Sequence, residues 1–188
     1  MNHFANPQNK EELEFLLKHV EGKTSILEIG SSFGGTLKRM ASVMPRGSRI
    51  VSVDMDCDST PKFLNPLDSL KDTCKKISWK GGNVELFIGD SHDPKIIEAV
   101  SNYGPFDFIF IDGDHSYEGV KADWENYGHM GKVVGFHDVG ADVEAGEIYG
   151  VEGCIRFWHE LKAEGKYKYA ECLGAEKPKF GIGIIYRE

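Results

Sequence analysis

Several things are missing from this chain of 188 residues. No run of about 18 apolar residues occurs, so the sequence offers no transmembrane helix. The opening residues, MNHFANPQNKEELEF, lack the basic-then-apolar pattern of a secretory leader. There is no excess of base: 22 Lys and Arg stand against 30 Asp and Glu, a net charge of −8. That balance argues against nucleic-acid or membrane partners, because sequence-independent grip on either needs a basic surface. Cysteine is scarce. Cys57, Cys74, Cys154 and Cys172 lie far apart and form no CxxC. They predict reduced, structural thiols in a cytoplasmic protein, not a zinc or disulfide framework. Internal repeats, low-complexity tracts and long linkers are absent too. What remains is an ordinary globular composition, 40% hydrophobic and 28% charged. The length suits a single domain, 1–188, able to bury roughly 70% of its unfolded surface.

Short apolar runs alternate with helical patterns. A first helix is expected over Lys10–Val20, with Leu13, Phe15, Leu16, Leu17 and Val20 on its apolar side. Strands are expected at 25–30, 49–54, 84–89, 106–112 and 132–136, and helices at 35–44, within 59–78, and at 94–101, 117–130 and 154–164. Two more strands, 167–173 and 180–186, close the chain. Repeated βα units with continuously apolar strands predict an α/β fold, a parallel sheet covered by helices on both faces. Ligands of such sheets bind beyond the carboxyl ends of the strands. Those ends are 28–35, 54–56, 90–92, 112–117 and 137–138, and every one holds an acidic residue.

The first strand runs into a glycine loop, ILEIGSSFGGT, residues 26–36. Glycine allows a sharp turn and close approach of a ligand to the backbone. The spacing is not the GxGxxG of dinucleotide sites: three residues separate Gly30 from Gly34, and Ser32 stands where a middle glycine would be. Glu28 beside the loop is a poor neighbour for pyrophosphate. It suits a cofactor with a cationic amino group and a sulfonium, such as S-adenosylmethionine. The segment resembles motif I of class I S-adenosylmethionine-dependent methyltransferases, acidic-x-Gly-x-x-x-Gly. The resemblance implies a Rossmann-like doubly wound sheet of seven strands, order 3-2-1-4-5-7-6, with the last strand antiparallel. It also implies a cofactor site at Glu28, Gly30, Ser31, Ser32, Phe33, Gly34, Asp54, Met55, Asp90, Ser91 and Asp112. Asp54, about 20 residues on, is placed to accept the ribose hydroxyls, Met55 to pack on adenine, and Asp90-Ser91 to meet the adenine edge. Taken singly, these acids would read as ordinary loop carboxylates.

The richest segment is IDGDHSYEGVKAD, residues 111–123, followed at 135–139 by GFHDV. Adjacent strand ends lie about 5 Å apart, so Asp112 and Asp138 face each other across a small gap. Paired carboxylates repel unless a proton or cation lies between them, and a divalent metal with oxygen ligands resolves this. These motifs resemble the metal-assisted O-methyltransferases, both the catechol type and the bacterial type that methylates natural-product sugars. Matching positions implies Asp112, His137 and Asp138 as metal ligands, for Mg²⁺ or Mn²⁺, and His115 as general base with Asp114 as second choice. His137 departs from the paired-acid pattern. A nitrogen ligand favours Mn²⁺, Fe²⁺ or Zn²⁺ over Mg²⁺; otherwise His137 is a base, a substrate contact or a packing residue. Asp114 has a plainer role open to it, capping the next helix. His92 reads mainly as part of a helix start, His3, His19, His129 and His159 as surface residues, and Trp124 and Trp158 as packing.

The expected reaction is O-methylation of a hydroxylated small molecule by S-adenosylmethionine. Sugar, phenol and peptide hydroxyls stay open, as does transfer to nitrogen. A glycine-rich, acidic stretch at 139–153 is a candidate lid. Acceptor contacts are expected from it, from the N-terminal segment 1–22 or from a second subunit in a homodimer. Two rivals stand. Tyr117 and Lys121 have the YxxxK spacing of NAD(P)-dependent short-chain dehydrogenases, though after the fourth strand instead of the fifth. The other rival is a non-catalytic binding module on the same fold.

Overall fold

A computed structural model describes residues 9–55, 65–140, 150–174 and 180–187. Helix α1 (Lys10–Val20) starts at a capping box: Asn9 Oδ1 accepts the Glu12 amide at 2.9 Å while Glu12 accepts the Asn9 amide at 3.1 Å. The same Glu12 is wholly buried, and its other oxygen accepts the Gly181 amide at 2.9 Å, tying α1 to the chain's last strand. The chain then alternates: β1 (Ser25–Ile29), α2 (Gly35–Ser42), β2 (Arg49–Asp54), α3 (Pro66–Trp79), β3 (Asn83–Ile88), α4 (Pro94–Ser101), β4 (Phe106–Ile111) and α5 (Tyr117–Tyr127). A short 3₁₀ turn leads into β5 (Gly131–His137), and α6 (Glu152–Ala163), β6 (Lys168–Cys172) and β7 (Ile182–Tyr186) complete it.

The seven strands order as β3-β2-β1-β4-β5-β7-β6. Only β7 runs antiparallel, against both β5 and β6. Period-two alternation splits the strand side chains between two cores. Leu27, Ile29, Val51, Val53, Ile109, Ile111 and Phe136 face α4, α5 and α6. Ile26, Ile50, Phe108, Phe110 and Ile184 face α1, α2 and α3. Continuous burial holds for the inner strands; β3, at the sheet's edge, alternates between exposed and half-buried residues. Trp158 is buried against Phe136, and a Cβ at Gly183 would lie 2.7 Å from its ring, so a glycine makes the room it fills.

The helix expected to run to 130 ends at Tyr127, and α6 begins at Glu152, two residues before its expected start. One histidine needs correcting: His19 is half-buried, with Nε2 2.8 Å from the Tyr186 hydroxyl and Nδ1 2.9 Å from the Phe15 carbonyl. His129 and His159 are exposed as expected. Cys74, Cys154 and Cys172 are free thiols. Cys57, His3 and most of the expected lid lie outside the described residues. Among the described residues no helix is long and apolar enough to cross a membrane.

Candidate active site

The order of strands reverses between β1 and β4, and the crevice there is where such sheets hold ligands. The glycine loop lies in that crevice. Gly30 donates to Val53 O at 2.9 Å, and Asp112 donates to Ile29 O at 2.9 Å, so the loop is laced to both neighbouring strands. Gly30 has φ +83°, and a Cβ there would lie 1.9 Å from the Asp112 carbonyl oxygen. Only glycine meets both demands. Ser32 also takes a left-handed φ, 49°, and aims its amide at Asp54 Oδ2, 2.6 Å away. Burial pushes the Asp54 carboxyl above its ordinary pKa despite the amides it accepts.

A cavity of about 800 Å³ opens over the strand ends. Gly30, Ser32, Asp54, Met55, Asp90, Ser91, Asp112, Asp114, His115, His137 and Asp138 all line it. Four residues expected at the cofactor are not among its lining: Glu28, Ser31, Phe33 and Gly34. For Glu28 the reason is strand parity. Glu28 shares the face of Ile26, beneath the loop, and is wholly buried. Ser31 Oγ donates to it at 2.5 Å and also meets Ser52 Oγ at 2.7 Å. The other Glu28 oxygen has no hydrogen-bond partner, and burial pushes the pKa to about 8.

At one end of the cavity the two expected carboxylates do meet, and two imidazoles stand with them. His137 Nδ1 lies 3.1 Å from Asp112 Oδ1 and 3.2 Å from Asp138 Oδ1. His115 places Nε2 3.5 Å from Asp112 Oδ1 and Nδ1 3.4 Å from Asp138 Oδ2. His137 is buried near Phe110 and Phe180, with Nε2 unpartnered; His115 is about one-third exposed. Burial opposes charge on His137, but the flanking carboxylates outweigh it and raise its pKa well above the ordinary value. Burial likewise penalises the Asp112 carboxylate, yet the two imidazoles pull its pKa down to about 2. His115 is raised, first by its hydrogen bond to Asp112. Asp138 holds a left-handed φ of 61°, a strained conformation of the kind that persists at functional sites. Asp112, His115 and Asp138 offer ligand atoms that all lie within 4.8 Å of one another. That donor set, two carboxylates and an imidazole, fits a divalent transition-metal ion.

Asp114 is exposed and accepts the Ser116 amide at 2.9 Å, while Ser116 itself caps α5. Asp114 thus braces the turn before α5, and the capping role that the sequence left open to it belongs to Ser116. Tyr117 and Lys121 do not line the large cavity. The Tyr117 hydroxyl donates to Glu160, Lys121 Nζ lies 3.4 Å from it, and Arg156 covers the ring at 3.9 Å. The YxxxK spacing thus forms a bridge between α5 and α6, outside the large cavity.

Two residues gain a place that the sequence reading did not give them. His92 lines the cavity, and the α4 cap is Asp93, whose side chain accepts the Lys95 amide at 2.9 Å. Asp123 on α5 is wholly buried, and desolvation raises its pKa to about 6. The signal for Asp123 was present: it falls in step with Val120 and Tyr127, on the helix's apolar stripe.

A family model described as a methyltransferase domain matches residues 27–139, more than half of the chain. No curated protein sequence matches. Among solved structures, the fold resembles an O-methyltransferase from Bacillus cereus, solved in complex with SAH, at 22% identity and TM-score 0.69, covering 100% of this chain and 84% of that one. It also resembles TomG from Streptomyces achromogenes, an O-methyltransferase involved in tomaymycin synthesis solved with SAM, at 18% identity and TM-score 0.71, covering 99% and 82%. A third, precorrin-6y C5,15-methyltransferase from Geobacter metallireducens, has 16% identity and TM-score 0.60 over 96% and 90% of the two chains.

Proposed function

The chain belongs to this methyltransferase domain family, and on that premise we propose that it transfers the methyl group of S-adenosylmethionine to a hydroxyl oxygen of a small molecule. The observation that carries the reading is one cavity joining the glycine loop and Asp54 to the cluster of Asp112, His115, His137 and Asp138. The cofactor's ribose would lie against Asp54 and its adenine against Met55 and the Asp90-Ser91 segment. The sulfonium would face Asp112. Asp112 is an acid that stays ionised far below neutral pH, so it favours a cation beside it.

The reaction is an in-line displacement. The acceptor oxygen forms a bond to the methyl carbon, the carbon–sulfur bond breaks, and its electron pair stays on sulfur as S-adenosylhomocysteine leaves. Orientation of the two reactants supplies much of the rate, on the order of 7–11 kcal/mol in favourable cases. His115 takes the hydroxyl proton as general base once it is neutral. His137 stays protonated beneath and balances the two carboxylates.

A second reading rests on the donor set. Asp112, His115 and Asp138 would hold a divalent ion, Mn²⁺ or Mg²⁺, with the imidazole favouring the former. When bound, such an ion lowers the pKa of a coordinated hydroxyl. His115 is then a ligand, and His137 remains the buried cation behind it. This differs from the sequence expectation, in which His137 was the nitrogen ligand.

Acids crowd the cavity itself, which is lined by Asp54, Asp90, Asp112, Asp114 and Asp138. Such a lining favours neutral or cationic acceptors over phosphorylated ones. The test is a methyl-transfer assay with labelled S-adenosylmethionine over a panel of phenols, sugars and peptides, with chelator, Mg²⁺ or Mn²⁺ added. Transfer that survives chelation but not His115→Ala selects the base; transfer abolished by chelation and restored by metal selects the ligand. Transfer left intact by both His115→Ala and Asp112→Ala overturns the proposal.

A further inference from the structure

Asp123 plays no part in the chemistry just described, yet it is a carboxylate placed where α5 otherwise buries Val120 and Tyr127. Its side chain is wholly buried. Oδ1 accepts Ser91 Oγ at 2.7 Å and lies 3.2 Å from His92 Nε2. The other ring nitrogen of His92 is 3.4 Å from Asp90 Oδ1, which also accepts the His92 amide at 2.9 Å. Tyr127 adds a hydroxyl hydrogen bond to Ser91 O at 2.6 Å. Asp123 Oδ2 is buried without a hydrogen-bond partner, and a Cβ on Gly113 would lie 3.1 Å from it.

An apolar residue would satisfy that stripe with no unpartnered oxygen. What the carboxylate does there is grip residues 91 and 92 from behind. It takes up the Ser91 hydroxyl and one edge of the His92 ring, so the loop after β3 is held as a fixed wall of the cavity. It also sets a second acid behind Asp90 at that wall. Two carboxylates around one imidazole leave the wall negative, which attracts an amino group and repels a carbonyl oxygen.

We propose that Asp123 is a positioning residue for the purine end of the cofactor pocket, and that through Ser91 and His92 it selects a 6-aminopurine over a 6-oxopurine. The inference rests on the S-adenosyl reading of the cavity. The wall is the loop between β3 and α4 backed by α5, so its effect is on binding and not on the proton transfer at His115.

The test is calorimetric titration of the full chain with S-adenosylhomocysteine and with its 6-oxo analogue, S-inosylhomocysteine. The natural chain is expected to bind the amino compound more tightly. In Asp123→Asn the preference is expected to fall by about tenfold, the scale of one lost charged hydrogen bond. Ser91→Ala, which removes the same grip without touching the helix, is expected to lower the preference in the same direction, and serves if Asp123→Asn does not fold. An equal loss of affinity for both compounds, or an unchanged preference, overturns the positioning role. A natural chain that binds neither compound overturns the S-adenosyl reading itself, and this inference with it.

Discussion

The two ends of the cavity use the same residue types to opposite effect. At one end His137 stands between Asp112 and Asp138; at the other His92 stands between Asp90 and Asp123. Yet the Asp112 carboxyl is pulled down to about 2, while that of Asp123 is pushed up to about 6. Desolvation raises the pKa of both acids, so it does not separate them. The number of cations does. Asp112 faces two imidazoles, both raised in pKa by the acids around them. Asp123 faces one, and Asp114 and Asp90 add repulsion. An acid–histidine–acid arrangement is therefore not one device. Two imidazoles keep Asp112 ionised and ready for a metal or a sulfonium, whereas excess acid leaves Asp123 near the edge of protonation.

The sharpest way to break the contrast is to remove the acid that His137 and His115 share. Asp112→Ala is expected to lower methyl transfer by about 10²- to 10⁴-fold, the range typical of a lost acid–base or charge-positioning group. It also leaves His137 buried with one carboxylate, and breaking a buried pair costs about 3–5 kcal/mol. The urea midpoint at pH 7 reads that loss, and an unchanged midpoint would mean that His137 is not held as a cation.

Gly30→Ala acts on both ends together, because the loop is laced to β2 and β4. The Cβ cannot fit 1.9 Å from the Asp112 carbonyl, and φ +83° adds strain. A loss of about 2 kcal/mol or more is expected, with affinity for S-adenosylhomocysteine falling in step. Wild-type affinity in this variant would show that the loop does not hold cofactor.

Glu28 tests what happens to an acid with no cation at all. Its folded pKa, about 8, lies above its ordinary 4.5. The folded chain thus holds a proton that the unfolded chain has released. The associated stability is complete below pH 4.5 and is lost as pH rises through about 8. Glu28→Gln is expected to flatten that decline, a difference on the order of a few kcal/mol between the two extremes. Melting curves at several pH values measure it. Parallel curves for the two proteins would show that Glu28 is ionised in the folded state. The smallest effect is expected from Tyr117→Phe. The hydroxyl bridges α5 and α6 outside the cavity, so methyl transfer should change by less than about twofold, with stability down by about 1 kcal/mol. A large loss of activity would return the YxxxK pair to the mechanism.

Much of the frame was legible along the chain. The strand positions and the glycine loop follow from continuous apolar runs, helix patterns and Gly30, and the strand order is the one that the resemblance to class I methyltransferases implied. The acids at the strand ends follow from the same reading; Asp112 and Asp138 meet as adjacent strand ends imply, and His115 joins them as the resemblance implied. Some assignments were not legible. Glu28 sits two residues before Gly30, as a cofactor carboxylate would, but strand parity turns it into the face behind the loop. His92 belongs to a wall because Asp123, 31 residues later, comes back across it.

The sequence by itself determined the layers, the ligand crevice and the stock of ionisable groups there, since periodicity, turn residues and βα succession act locally. Only the tertiary structure decided which acid meets which imidazole, and which oxygen is left with no partner. Those outcomes depend on distances of about 3 Å and on burial. Both arise from strands and helices far apart in the chain packing against each other, so no local pattern records them.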